Sequence, residues 1–373
     1  MAKVYYYPFV YIVFFFCSVL FSVLTNGLFL KFATTLGIRG QDKETVIRWG
    51  PQSKPAIGGL SFYIIFLLSI TCYSIFFDIN QVFLNKQFVG LLLSSTVGFL
   101  IGLADDAYNT KPFLKFAAQI TCGLILIASG VYIDISGSML LNYFITLFWV
   151  VGIMNSINML DNMDAIASLV SASIILAAMA VIFFLYDYTR NIHSFILTGV
   201  LASLLGFLYF NWHPAKIYMG DTGSQFLGAF LSAVGIIYFW NSEYSIFHDG
   251  TPKIEHLSYL TVRNLVLPLL VFIIPIIDTS VVVINRISKG KSPFIGGKDH
   301  TSHTLAKMGL SDRQVALAFS LISGISLVLV IIIVHYILTW NPYYSAALIA
   351  YFLLLFSCFI FLARKFKHSE AEK

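Results

Sequence analysis

Apolar runs of about twenty residues recur along the whole chain, and few folds can accept them. A helix crossing a bilayer needs about 20 such residues. Eleven stretches fit, at approximately 7–30, 57–77, 88–104, 113–133, 142–159, 166–186, 195–212, 222–240, 264–285, 314–338 and 343–363. Only 11% of the 373 residues are charged, against about 25% in soluble domains, which excludes an ordinary globular protein. Barrel strands would alternate over about 10 residues, and these runs do not alternate. Several connections are only a few residues long, leaving no room for an inserted soluble domain. The expectation is an all-α, polytopic integral membrane protein: a single domain over residues 1–373 with about eleven transmembrane helices.

Lys and Arg orient it. With the N-terminus outside and the C-terminus cytoplasmic, the segments Lys31–Lys54, Lys111–Lys115, Lys216, Arg286–Arg313 and the tail from Arg364 lie inside. They hold 18 of the 23 basic residues, as the positive-inside rule expects. The net charge of +5 is therefore a topology signal, not a nucleic-acid footprint. The first apolar run is too long for the 7–15-residue core of a signal peptide and reads as an uncleaved span. Cys17, Cys72, Cys122 and Cys358 lie in apolar runs without paired spacing, so neither a disulfide nor a zinc framework is expected.

Against this background the acids stand out. Asp105 and Asp106 close one run, Asp161 and Asp164 follow another, and Asp221 opens a third. All five fall at cytoplasmic ends in this topology. A charge in hydrocarbon costs several kcal/mol, so a ring of acids at the boundary points to chemistry, here a Mg²⁺ and diphosphate site. Adjacent helical side chains diverge by about 100°. Asp105 and Asp106 therefore divide their tasks, one serving metal or base and the other orienting substrate. In Asn155-Ser156-Ile157-Asn158-Met159-Leu160-Asp161-Asn162-Met163-Asp164, polar groups recur every third residue and share one helix face. Amides beside carboxylates suit a nucleobase, a ribose or a hydrated cation. In Tyr218-Met219-Gly220-Asp221-Thr222-Gly223-Ser224, a carboxylate sits between glycines where a helix begins, a place that favours phosphate and where Asp also serves as an N-cap.

Two cationic segments complete the set. Lys54 precedes Gly58-Gly59, and the ninth connection carries Lys298, His300 and His303. The two histidines have zinc-ligand spacing, but with no Cys or second close carboxylate pair they suit diphosphate oxygens better. Asp278 lies about 8 residues inside the ninth run, roughly 12 Å along a helix, where it either caps the bottom of a cytoplasmic cavity or, as favoured here, bonds to a neighbouring helix.

In this order, these clusters resemble the polyprenyl-phosphate N-acetylhexosamine-1-phosphate transferase family (glycosyltransferase family 4). The shared pattern is Asp-Asp, then Asn-x-x-Asn-x-x-Asp-x-x-Asp, then Gly-Asp-x-Gly, then a His loop, spanning Lys54 to His303. The resemblance implies transfer of a sugar 1-phosphate from a UDP-N-acetylhexosamine to undecaprenyl or another polyprenyl phosphate, with release of UMP, in the bacterial cytoplasmic membrane. It implies Mg²⁺, with Mn²⁺ as a substitute, on Asp221 first and on Asp106. Asp105 and Asp106 would position or deprotonate the acceptor. Lys54, Lys115, Asn155, Asn158, Asp161, Asp164, Tyr218, Lys298, His300 and His303 would bind substrate, with Tyr218 stacking on uracil. A homodimer is left open.

The chain departs from the pattern twice. Family members often carry Asp-Gly-Leu-Asp-Gly where this sequence reads Asp161-Asn162-Met163-Asp164-Ala165, and the His loop lacks the triple His of members that use the muramyl-pentapeptide nucleotide. UDP-N-acetylglucosamine is accordingly the expected donor and the pentapeptide nucleotide the alternative. A secondary transporter is the rival from another class. Transporters place ionisable groups near the midplane, whereas here only Asp278 is deep.

Overall fold

A computed structural model describes residues 2–35, 54–77, 85–186, 188, 191–241, 247–248, 251–252, 257–290, 292, 297, 299–337 and 340–371. The helices in chain order are α1 (Ala2–Thr35), α2 (Gly58–Phe76), α3 (Lys86–Tyr108), α4 (Pro112–Ala128), α5 (Met139–Leu160), α6 (Ile166–Leu185) and α7 (Ile192–Asn211). They continue with α8 (Gly220–Gly235, extended by a π turn to Trp240), α9 (Leu257–Val271), α10 (Ile273–Ile287), α11 (Thr301–Lys307), α12 (Asp312–Tyr336) and α13 (Pro342–Ala371). Among the described residues the only sheet is a hairpin of Phe247–His248 with Thr251–Pro252.

Nine helices among the described residues are long and apolar enough to cross a membrane, and the bent pair α9–α10 reaches that length and apolarity when its two halves are taken together. Each expected run has its helix, with two corrections. The fourth ends at Ala128 instead of 133, because Gly130 adopts a left-handed φ of 78°. The Gly130 and Val131 N–H groups then bond back to the Ile127 and Leu126 carbonyls, a glycine-terminated cap. The ninth run is not straight: α9 and α10 meet at 81° around Phe272. Pro268 and Pro275 flank that bend, and each lacks the N–H that would bond one turn back. A depth for Asp278 counted along a straight helix therefore does not hold.

Helix α8 is the centre of the bundle. Its span is 94% buried, against 22% for α1 and 11% for α13. The outer helices turn Phe9, Phe16, Leu24, Leu354 and Phe361 outward, apolar surface suited to lipid. This is an integral membrane protein. Helices in lipid associate through close packing and polar contacts, so small residues mark their interfaces. A Cβ on Gly102 of α3 would lie 2.2 Å from the Asp221 carbonyl oxygen, and one on Gly59 of α2 would lie 2.1 Å from the Gly223 nitrogen. These two contacts leave room only for glycine. They press the C-terminal end of α3 and the N-terminal end of α2 against the start of α8.

Candidate active site

That convergence assembles the site. Helix α8 starts at Gly220, whose φ is 74°, and no side chain of its own caps it. Its free N–H groups are satisfied from α3. Asp106 Oδ1 accepts from the Asp221 N–H at 3.0 Å, while Oδ2 accepts from the Thr222 N–H at 2.8 Å and the Thr222 hydroxyl at 2.7 Å. An acid opposes the dipole at its own helix C-terminus and complements it at another's N-terminus, so Asp106 is placed favourably only because the two ends meet.

With Asp106 as the cap, the Asp221 side chain is released from that role. Asp221 does not cap α8; its carboxylate accepts from Lys115 Nζ (Oδ2, 2.9 Å) and from the Asn158 amide (Oδ1). Asn158 also donates to Ser224 Oγ at 2.8 Å. Lys115 bridges to Asp105 Oδ2 at 3.0 Å, and Asp105 Oδ1 accepts from the Thr110 N–H at 2.9 Å and from its hydroxyl. Two carboxylates from α3 and α8 thus share one ammonium from α4. The Asp221 side chain keeps 30% of its surface exposed, against 11% for Asp105 and 18% for Lys115.

One turn deeper lies a layer of amides. Gln119 donates to Asn155 Oδ1 at 3.2 Å and to Gln225 Oε1 at 3.1 Å, and Asn155 donates back to Gln119 Oε1 at 2.8 Å. Asn155, expected on the substrate face, is bonded between helices here. Gln119 and Gln225 were missed by motif reading, although they lie four residues beyond Lys115 and Asp221, on the same helix faces.

The flanks are also specific. The chain before α2 runs beside the chain before α8: Tyr218 N–H donates to Pro55 C=O at 3.0 Å, and Gly58 N–H to Tyr218 C=O at 3.1 Å. Lys54 Nζ consequently sits 5.2 Å from the Tyr218 ring centre, a cation–π distance. Asp161 is half-buried at the C-cap of α5. Asp164, expected on the nucleotide, is buried and accepts from His213 Nδ1 and the Ala215 N–H, both at 2.9 Å. It fixes the connection between α7 and α8. His213 also lies 3.3 Å from Asp312 of α12.

Both unusual positions of the Asn-rich turn have a structural account. Ala165 takes a left-handed φ of 67°, the conformation glycine enters freely, and its N–H is held by Asn211 at 3.0 Å. Asn162 accepts from Ser302 Oγ at 2.8 Å, tying this turn to α11. His300 and His303 are buried with ring centres 5.5 Å apart. Just before them, Arg286 grips Asp299 through Nε at 2.8 Å and Nη2 at 2.6 Å. Burial alone would raise the Asp299 pKa; the two hydrogen bonds and the guanidinium charge outweigh it and hold the carboxyl below its ordinary range. Lys298 lies outside the described residues. Among the described residues no three His, Cys, Asp or Glu side chains form a ready metal cluster.

Comparison with known proteins decides the family. The sequence model of glycosyl transferase family 4 matches residues 88–239. A decaprenyl-phosphate N-acetylglucosaminephosphotransferase of Mycobacterium leprae (strain TN) is 30% identical over 330 residues, covering 81% of this chain and 80% of the relative. This chain belongs to glycosyl transferase family 4. Another relative, a probable undecaprenyl-phosphate N-acetylglucosaminyl 1-phosphate transferase of Bacillus subtilis (strain 168), is 27% identical over 84% of this chain and 82% of its own length. A phospho-N-acetylmuramoyl-pentapeptide-transferase of Streptococcus agalactiae serotype Ia is 32% identical over a shorter stretch, 58% of this chain and 69% of its own length. The stretch matched by the family 4 model contains Asp105, Asp106, Lys115, Asn158 and Asp221, the residues of the acid–ammonium cluster.

Proposed function

We propose that this protein transfers N-acetylglucosamine 1-phosphate from UDP-N-acetylglucosamine to a polyprenyl phosphate, with the site facing the cytoplasm and the N-terminus outside. The observation that carries the reading is the Asp105–Lys115–Asp221 bridge at the end of membrane-spanning helices. It offers both signs of charge where a soluble nucleotide sugar and a lipid phosphate could meet. The longer matches to N-acetylglucosamine phosphotransferases favour that donor over the pentapeptide nucleotide.

In the reaction, an oxygen of the lipid phosphate attacks the sugar-bearing phosphorus of the donor. The bond from that phosphorus to the bridging oxygen breaks, and UMP leaves with the electron pair. A phosphate monoester has its second pKa near 6, so the acceptor is largely dianionic at neutral pH and positioning outweighs proton removal. Asp105 positions the acceptor and takes any remaining proton. Lys115 and Lys54 neutralise the diphosphate, while Asn158 and Asp161 bind on the nucleotide side.

The donor set fits Mg²⁺, which is usually held by one or two carboxylates together with substrate phosphates. Asp221 would hold it first, since its carboxylate is the most exposed of the bridged pair and shares a single ammonium with Asp105. Asp106 would contribute only through lone pairs left over from capping α8. When bound, the ion neutralises charge on the diphosphate, and Mn²⁺ would substitute.

The test gives purified protein undecaprenyl phosphate, Mg²⁺ and equal concentrations of UDP-N-acetylglucosamine and the muramyl-pentapeptide nucleotide. The expected products are UMP and lipid-linked N-acetylglucosamine, and none form in excess EDTA. Preferential formation of the pentapeptide lipid would overturn the donor, and full turnover in EDTA would overturn the metal. No lipid product from either donor would sink the transferase reading.

A further inference from the structure

Asp278 is the most enclosed carboxylate near the site, 1% exposed, and the proposed reaction gives it no task. It stands on α10 just past the bend, beside α5, where Thr279 donates to Ser156 Oγ at 2.8 Å. Both its oxygens are directed to the start of α11. Oδ1 accepts from the Thr301 N–H at 2.8 Å and the Thr301 hydroxyl at 2.6 Å, and Oδ2 faces His300 Nδ1 at 2.9 Å. A buried carboxylate is costly unless donors surround it. A single packing contact would not require one, and an amide could cap α11 equally well.

What a carboxylate does and an amide does not is fix a histidine tautomer. An ionised carboxylate only accepts, so the ring nitrogen facing Oδ2 must carry hydrogen. His300 is thereby held with Nδ1–H toward Asp278, leaving Nε2 as the nitrogen that can meet a substrate. Its neighbours hold the ring in place. Asp299 is engaged by Arg286, and Ser302, two residues on, is tied to Asn162 of the Asn-rich turn. Asp299, His300, Thr301 and Ser302 are thus anchored to two different elements, α10 and the Asn-rich turn, so His300 is set in a firm plate and not on a loose loop.

We propose that Asp278 is a positioning residue for transfer: it holds His300 in the Nδ1–H tautomer, so that Nε2 is the atom His300 presents to the substrate phosphates. This inference rests on the transferase reading, but its first test does not depend on turnover. Histidine-selective ¹⁵N labelling, with His300 assigned from the spectrum of His300→Gln, should show His300 protonated at Nδ1 in the resting protein. In Asp278→Asn that preference should be lost. A resting His300 protonated only at Nε2, or a spectrum unchanged in Asp278→Asn, overturns the proposal even if transfer is confirmed.

The kinetic arm follows. Asp278→Asn should lower kcat by about 10–100-fold, the range seen when a carboxylate that orients a functional histidine is removed, with little change in KM. Thr301→Val removes another of the donors to Asp278 without touching the histidine, and should leave kcat near wild type. A loss in Thr301→Val equal to that in Asp278→Asn would reduce Asp278 to a structural cap. Should Asp278→Asn fail to fold, paired substitutions of His300 decide. Asparagine reproduces the Nδ1 donor and lacks Nε2, so His300→Asn should lose activity as fully as His300→Ala. Near-normal turnover of His300→Asn would overturn the role of Nε2. If no variant, wild type included, transfers the sugar phosphate, the functional reading fails while the tautomer measurement still stands or falls alone.

Discussion

Two carboxylate centres lie at the same end of this bundle and are built in opposite ways. In the Asp105–Lys115–Asp221 cluster, two acids share one ammonium and Asp221 stays partly open. At Asp278, one acid is enclosed and receives three donors from His300 and Thr301. An open acid with capacity to spare suits an incoming cation or phosphate. An enclosed acid with every bond directed inward can only fix its neighbours. Asp106 falls between them: it is exposed, yet its bonds serve the start of α8. The lesson is that acids of similar appearance in sequence separate into those left open to an incoming ligand and those that hold neighbouring elements in place.

The sharpest way to break the comparison is Asp221→Asn. The contrast predicts a fall in kcat of roughly 10³-fold with thermal stability close to wild type, since Lys115 keeps Asp105 as its partner and Asp221 is the more exposed acid of the two. A variant that kept wild-type rate and metal dependence would remove Asp221 from the open class. Asp106→Asn should have an intermediate effect that divides differently. An amide can still accept one backbone bond, so stability should fall by about 1 kcal/mol, the scale of a lost cap, and transfer should slow while UDP-sugar binding in calorimetry holds. Unchanged melting with abolished metal dependence would instead move Asp106 into the metal shell.

The smallest effect concerns Asp299. Its pKa lies below the ordinary value because of Arg286, so the folded state binds this proton less readily than the unfolded state. The pair's contribution is therefore fully present above the unfolded carboxyl value, near pH 4, and is lost as pH falls through the lower folded value. At about 1 kcal/mol or less, it should appear as extra acid-side loss of Tm in wild type that is absent in Asp299→Asn. Identical acid-side curves would show that the pair contributes nothing to stability.

The sequence made the scaffold legible because spanning a bilayer leaves a compositional mark that no tertiary detail can hide. The same mark concealed the bend between α9 and α10: Pro268 and Pro275 were visible, but the run stayed apolar on both sides of them. The site was legible in part. Asp105, Asn158 and Asp221 do meet, and their meeting follows from the end of each helix on which they lie. For Asp164 and Asn155, expected on substrate from type, spacing and the family resemblance, the structure adds the partners His213, Ala215 and Gln119. Local spacing reports which face a side chain occupies, not what stands opposite it. Asp106 illustrates the same limit, since the helix start it caps lies more than a hundred residues away in the chain.

The amide layer of Gln119, Asn155 and Gln225 sets the lower boundary of all this chemistry. Amides carry dipoles but no titratable proton, so the passage from charged site to hydrocarbon runs through groups whose polarity is the same at every physiological pH. The layer stands between the acids and the apolar interior of the bundle: it tolerates their field without offering a titratable group by which protons could descend. A membrane-spanning bundle can thus carry charges at its boundary without their becoming a leak.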